Sequence, residues 1–354
     1  MNNPFLINGS LIPNVSINKL YIAYIPPHII NENLEGKYAG DIFSTQLIIN
    51  EIKEKALQLN LNLSNIQEKK LPQYLEKSLY SNDEHIRKCA ESITKIFGER
   101  LAIILLTLKM GVSENITKRK DWTKDNWIYW RNIQNVILVG GLSSGKIGEQ
   151  FKEHIEKVFK LANVKQYNII LNEKCDEIAI RGSSSYINNK DKAKEYLIMD
   201  CGATFIKRSY ISFKNDCELN VENLEKVLSK YVEWEYETLE EEKEEALKLH
   251  GHILKVIKDS LSYYNNKIRV GNEIIISIAN YINNGVVENR GGYGKLRLLN
   301  DNYETFLSDC ILKDLNIRFQ IKLVHDGTAM AANFKNYSNS VCVSLGTCFG
   351  VGFP

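Results

Sequence analysis

Apolar and polar positions along this chain follow two periods, one helical and one alternating or continuous over short runs. Apolar residues at helical spacing predict a long helix from Glu84 to Met110, and a second over Ile147 to Leu161. Short apolar runs bounded by turn residues predict strands at Val136–Val139, Leu197–Met199, Tyr210–Phe213, Glu273–Ile278, Phe319–Val324 and Val341–Leu345. Glu273–Ile278 is nearly all apolar, whereas Phe319–Val324 alternates. Phe5 to Ile12 reads as strand, turn and strand, and Asn283-Asn284-Gly285 is a turn signal. Val221 to Asn265 reads as a long charged helical region, with the run Glu240–Glu245 as its solvated face. Strands interleaved with helices place the chain in the α/β class.

Four of these elements end in residues suited to phosphate chemistry. The strand at 197–199 runs into Asp200, then Cys201, the small residues Gly202, Ala203 and Thr204, and Lys207, ahead of the next apolar run at Tyr210–Phe213. An acid at a strand end can hold a hydrated Mg²⁺, while amides of small residues approach phosphate oxygens without side-chain obstruction. Gly346, Thr347 and Cys348 form a comparable bend after Val341–Leu345. Gly140, Gly141, Ser143 and Ser144 open the turn between Val136–Val139 and its helix. Asp326, preceded by His325, stands where the strand ending at Val324 turns into a helix. Each has an ordinary alternative: a tight β-turn, a glycine at positive φ, or an Asp capping a helix. Their joint occurrence is far more specific than any one of them.

The pattern Asp-x-Gly-x-Thr-x-x-Lys at 200–207 resembles the first phosphate motif of the sugar kinase, Hsp70 and actin superfamily. The 341–352 hairpin resembles its second phosphate motif and 136–145 its adenosine motif. Leu323–Ala332 is similar to the junction carrying the catalytic Asp in the ROK and hexokinase-like sugar kinases. The order here is adenosine, phosphate 1, catalytic Asp, phosphate 2; one cut after the second phosphate hairpin converts the relatives' order into it. The resemblance therefore implies a circularly permuted two-lobed actin-like (ribonuclease H-like) ATPase fold, each lobe a mixed sheet flanked by helices. Residues 1–190, completed by 337–354, would form the adenosine lobe and 191–336 the lobe of phosphate 1 and the catalytic Asp. Phe5–Ile12 would continue the second phosphate hairpin, Asp176–Tyr186 resembles the small-residue helix start that ends many ROK proteins, and Asn188–Lys194 would connect the lobes. Nearby chain ends make permutation tolerable.

The resemblance implies ATP-dependent phosphorylation of a hydroxyl on a sugar or sugar-like molecule. Asp326 would accept the proton, Asp200 would hold Mg²⁺ through water, and Gly202, Ala203, Thr204, Lys207, Gly346, Thr347 and Cys348 would bind phosphates. Gly140, Gly141, Ser143 and Ser144 would line the adenosine slot, and the cleft would close on binding. Asn289 and Arg290 fall where such kinases contact sugar hydroxyls, Glu35 and Asp41 lie in the stretch after the second phosphate hairpin, and His325 replaces the usual Asn. All five are expected substrate contacts. The Cys-rich zinc loop of ROK kinases has no counterpart, so zinc is not expected. Two other readings share the phosphate motifs: an actin- or Hsp70-like nucleotide-binding switch, and a sugar-responsive regulator.

Composition narrows this further. A length of 354 residues suits about two domains, and 44 % hydrophobic residues suffice for both cores. A net charge of +2, with both signs mixed throughout, gives no nucleic-acid footprint. The seven cysteines, at 89, 175, 201, 217, 310, 342 and 348, are dispersed without a Cys-x-x-Cys pair, as expected of reduced thiols. No stretch approaches the ~20 apolar residues of a membrane span, and no basic signal start is present, so a cytoplasmic protein without membrane partners is expected. A homodimer is compatible with the sequence.

Overall fold

A computed structural model describes residues 2–7, 9–172, 177–214, 218–230, 236–263 and 269–354. The strands used below are β1 (Asn135–Val139), β2 (Asn168–Leu171), β3 (Tyr196–Cys201), β4 (Phe205–Phe213), β5 (Leu219–Asn223), β6 (Glu273–Ile278), β7 (Gln320–His325), β8 (Ser340–Leu345) and β9 (Phe349–Gly352). The helices are α1 (Glu84–Met110), α2 (Gly145–Leu161), α3 (Ile178–Ser183), α4 (Leu239–Tyr263), α5 (Tyr303–Leu315) and α6 (Asp326–Ala332). They fall into two compact units. One comprises Met1–Phe5, Asn14–Asp176 and Asn336–Phe353; the other comprises Leu6–Pro13, Glu177–Lys335 and Pro354.

The first unit is built on a sheet ordered β9-β8-β1-β2, with β8 and β9 an antiparallel hairpin and β8, β1 and β2 parallel. The residues Val136–Val139 are buried because parallel strands are covered on both faces. Helix α1 starts where the Asp83 carboxylate accepts the His85 and Ile86 amides, and it stops at Gly111 in the left-handed conformation. Its apolar stripe packs on α2. The Phe5 and Phe353 rings stack at 5.7 Å, and Tyr129 meets both rings edge-on, at 6.1 Å and 5.3 Å.

The second unit carries a sheet ordered β7-β6-β3-β4-β5. Strands β3, β6 and β7 are parallel neighbours, while β3, β4 and β5 run antiparallel. All of β6 is buried between β7 and β3, which accounts for its nearly all-apolar sequence. Alternation along the strands then makes two different faces. Leu197, Met199, Ile274, Ile276 and Leu323 meet α4 and α5 through Leu249, Ile253, Leu307 and Ile311. Tyr196, Ile198, Ile275 and Val324 meet Ile180 of α3 and Ala329 of α6. Helices α3 and α6 approach so closely that a Cβ at Gly182 would fall on the Ala329 carbonyl oxygen, and only glycine permits that crossing.

The two sheets share an arrangement: two parallel strands, a third parallel strand, and its antiparallel hairpin partner, as β7-β6-β3-β4 and as β2-β1-β8-β9. The mixed α/β class agrees with the sequence reading.

Three expectations are corrected. The region from Val221 onward is not one helix: β5 pairs with β4, Val227–Leu228 pairs with Phe205–Ile206, and α4 begins only at Leu239. Leu219 and Val221 pack on the apolar cluster beneath the sheet while Asn220 and Glu222 face solvent, a two-residue alternation that the surrounding charges disguise. Asn265, the expected end of that helix, lies outside the described residues, as do Cys175, Cys217 and Asp176. Residues 177–190 belong to the second unit rather than the first, because Ile180 and Ile187 enter its core. Leu6–Ile7 and Ser10–Leu11 do form a hairpin, but among the described residues they pair with each other and not with β9, and they belong to the second unit.

Candidate active site

Parallel register brings the second unit's polar residues to one edge. Asp200 on β3 and Val324 on β7 both pair with Ser277 of β6, and one step further Cys201, Ile278 and His325 lie abreast. Asp200 thus shares a sheet face with Ile198 and Ser277, and Asp326 follows at the first position of α6. The Ser277 hydroxyl donates to Asp200 Oδ1 at 2.8 Å. Burial raises the Asp200 carboxyl above its ordinary range. The Lys207 charge, directly across the hairpin, and the Ser277 hydrogen bond oppose that, while the Asp326 charge adds to it. The second Asp200 oxygen makes no hydrogen bond among the described residues.

His325, not Asp326, is the N-cap of α6: its Nδ1 accepts the Thr328 amide at 3.2 Å. That leaves Asp326 free of capping, its Oδ1 accepting the Gly327 amide at 2.7 Å and its side chain 29 % exposed. Burial pushes the Asp326 carboxyl up to about 6. His325 is held neutral, down to about 3, by burial and by the charge of Arg290. With Nδ1 accepting, its proton sits on Nε2, which lies 3.2 Å from Asp326 Oδ1. The imidazole stacks on Tyr281 with centroids 4.4 Å apart, and the Arg290 guanidinium lies 4.9 Å from the same Tyr281 ring.

The hairpin turn after Asp200 is fixed from two sides. The Gly202 amide donates to the Phe205 carbonyl and so closes the turn, which removes it from the expected set of phosphate donors. Tyr293 donates to the Gly202 carbonyl at 3.0 Å and meets the Ser229 hydroxyl at 2.9 Å, and the Ser229 amide donates to the Thr204 carbonyl. The amides of Ala203 and Thr204 and the Thr204 hydroxyl have no hydrogen-bond partner among the described residues. They are the uncommitted donors of this turn.

In the first unit, Thr347 and Cys348 are exposed at the β8–β9 bend, and the Gly346 carbonyl accepts from the Thr45 amide. Gly140 has φ +102, and a Cβ there would meet the Leu345 carbonyl oxygen at 2.6 Å, so this glycine is required for packing on β8. Ser143 is fully buried and donates to the Gly140 carbonyl, so it does not face a ligand slot. Gly141 is exposed with open space around its Cα, and Ser144 is half-buried. Glu76, which the sequence reading missed, accepts the Lys146 and Ile147 amides at 2.8 and 3.0 Å and occupies the start of α2. Glu35 accepts the Ile25 amide, and Asp41 lies in a short helix at Ala39–Ile42. Both belong to the first unit, whereas Asp326, His325, Asn289 and Arg290 belong to the second.

Sequence reasoning also missed Ser277, Tyr281 and Asn280. Ser277 interrupts an isoleucine run, which is the only sequence signal any of them gives. As a cation site, the Asp200 edge fits a hard divalent ion: an acid with one uncommitted oxygen, a second acid within electrostatic reach, and burial that disfavours both negative charges. No protein-family model matches this sequence, and no curated protein matches it either.

A raised carboxyl is also a stability statement. The native state holds the Asp326 proton more tightly than the unfolded chain, so its contribution is greatest below about pH 4, falls as pH rises toward about 6 and is flat above. Asp326→Asn removes the titration and keeps the acceptor for Gly327. Urea denaturation should find the variant more stable than wild type at pH 7, by up to roughly 3 kcal/mol, and the gap should shrink toward pH 4.5. A gap independent of pH would contradict the buried, raised carboxyl.

Proposed function

We propose that the second unit carries the chemistry of an ATP-dependent small-molecule kinase, with Asp326 as general base for the acceptor hydroxyl and Asp200 as the anchor for Mg²⁺. The observation that carries this reading is the placement of two acids at the ends of β3 and β7, the two strands that flank β6, on one sheet edge. Both are half-buried: Asp326 is uncapped and poised near pH 6, and Asp200 accepts from Ser277 and stands opposite Lys207 across the hairpin. Phosphoryl transfer asks for alignment and charge neutralisation more than for covalent chemistry, and this edge offers both.

Asp326 takes the hydroxyl proton, and its pKa near the working pH makes the carboxylate both ionised and basic. The donors at Ala203 and Thr204, with Lys207 across the hairpin, hold the phosphates. Bound Mg²⁺ supplies neutralisation of the phosphate oxygens. The actin-like fold of this reading is supported by the arrangement common to the two sheets.

Two measurements test the reading. In a coupled assay across sugars, amino sugars, polyols and sugar acids, wild-type kcat/KM for the acceptor should rise tenfold per pH unit below about 6 and level off above, because only the ionised Asp326 accepts a proton. Asp326→Asn should retain ATP affinity and lose at least ~10²-fold in turnover; an undiminished rate removes Asp326 from the role. Asp200→Ala should weaken Mg·ATP more than metal-free ATP, since it removes support for the ion rather than a nucleotide contact. Calorimetry showing equal loss for the two forms, or none, would contradict the assignment.

A further inference from the structure

The acceptor side of this edge contains a cation that the proposed chemistry does not use. Arg290 is exposed, and no carboxylate pairs with it among the described residues. Its guanidinium is nevertheless held in place. The buried Asn280 side chain donates to the Glu288 and Arg290 carbonyls at 3.0 and 2.9 Å, fixing the loop backbone on both sides of Asn289. The Arg290 amide donates to the Glu288 carbonyl, one guanidinium nitrogen reaches the Pro13 carbonyl at 3.4 Å, and the guanidinium plane sits by the Tyr281 ring. An arginine restrained at backbone, side chain and aromatic face has already lost much of its rotamer freedom, so less is lost when it takes up an anion. Four of its five N–H groups remain for that anion.

The rest of the stack sets the geometry. Tyr281 lies between the loop and His325, and His325 lies beside Asp326. Arg290 acts on His325 electrostatically, helping to keep it neutral, so the cation and the proposed base lie in one neighbourhood. His325 carries its proton on Nε2 beside Asp326, a neutral donor that adds no negative charge for an anionic acceptor to overcome. Asn289, exposed and next in sequence to Arg290, has no side-chain hydrogen bond among the described residues.

Resting on the kinase reading, we infer that the acceptor carries an anionic group, a carboxylate or a phosphate, in addition to the hydroxyl it presents to Asp326, and that Arg290 is the residue that selects it. A neutral hexose would leave this pre-arranged guanidinium without a partner. The acceptor class is then a hydroxy acid, a sugar acid or a sugar phosphate.

The test uses matched acceptors differing in one group: glycerol, D-glycerate and glycerol 3-phosphate, and glucose, D-gluconate and glucose 6-phosphate. Wild type with Mg·ATP should show at least tenfold higher kcat/KM for an anionic member than for its neutral counterpart, and the carboxylate and phosphate arms show which anion is read. In Arg290→Gln the KM for that anionic acceptor should rise at least tenfold, with a smaller effect on kcat, and Arg290→Lys should restore part of it. Phosphorylation of neutral members with no preference for anions, or a preference unchanged in Arg290→Gln, overturns the inference while leaving the kinase reading standing. Turnover of no member removes support from the kinase reading instead. The inference is then decided by calorimetric binding of the same six compounds, where anion binding weakened at least tenfold in Arg290→Gln upholds it. Absence of Arg290-dependent binding overturns it.

Discussion

Two carboxylates held at one edge of a parallel sheet constrain this structure more than any other feature. Parallel pairing of β3, β6 and β7 leaves no freedom in where their ends fall, and the register that buries the isoleucines of β6 also sets Asp200 level with Ser277 and one residue short of His325. Both acids disfavour ionisation there. The fold tolerates that cost because the apolar faces on either side of β6 are filled independently of the acids.

Support for the edge comes from behind it. Helix α6 projects Asp326 from its first position because His325 does the capping, and α6 is seated on the sheet by α3 at the Gly182–Ala329 crossing. The loop at 288–294 touches both parts of the site: Arg290 lies against Tyr281 and so toward His325, while Tyr293 anchors the Gly202 turn. One short segment therefore braces both the Tyr281–His325 stack and the Gly202 turn of the same edge.

Much of this was legible in the sequence where a single physical requirement dominates. The nearly all-apolar run of β6, the bounds of α1 at Asp83 and Gly111, and the Asn284-Gly285 turn, both residues at positive φ between Ile282–Asn283 and Val286–Val287, are local signals with local causes. What stayed hidden depends on partners distant in sequence. Glu76 caps a helix 70 residues away, Gly140 is a glycine because of Leu345, and Ser143 turns inward onto its own loop instead of outward. Strand β5 was hidden for another reason: Glu222, Glu225 and Lys226 mask an alternation whose buried half is only Leu219 and Val221.

The most direct test is where a divalent ion sits when nucleotide is present. Mn²⁺ with a non-hydrolysable ATP analogue broadens amide resonances within about 10–15 Å of the metal in a labelled, deuterated sample, and broadening fades steeply with distance. The account predicts that it centres on Asp200, Ala203, Thr204, Asp326 and Gly327 and is much weaker with Mn²⁺ alone. Broadening centred elsewhere, or unchanged by the nucleotide, would show that this edge of the sheet is not a metal–nucleotide site.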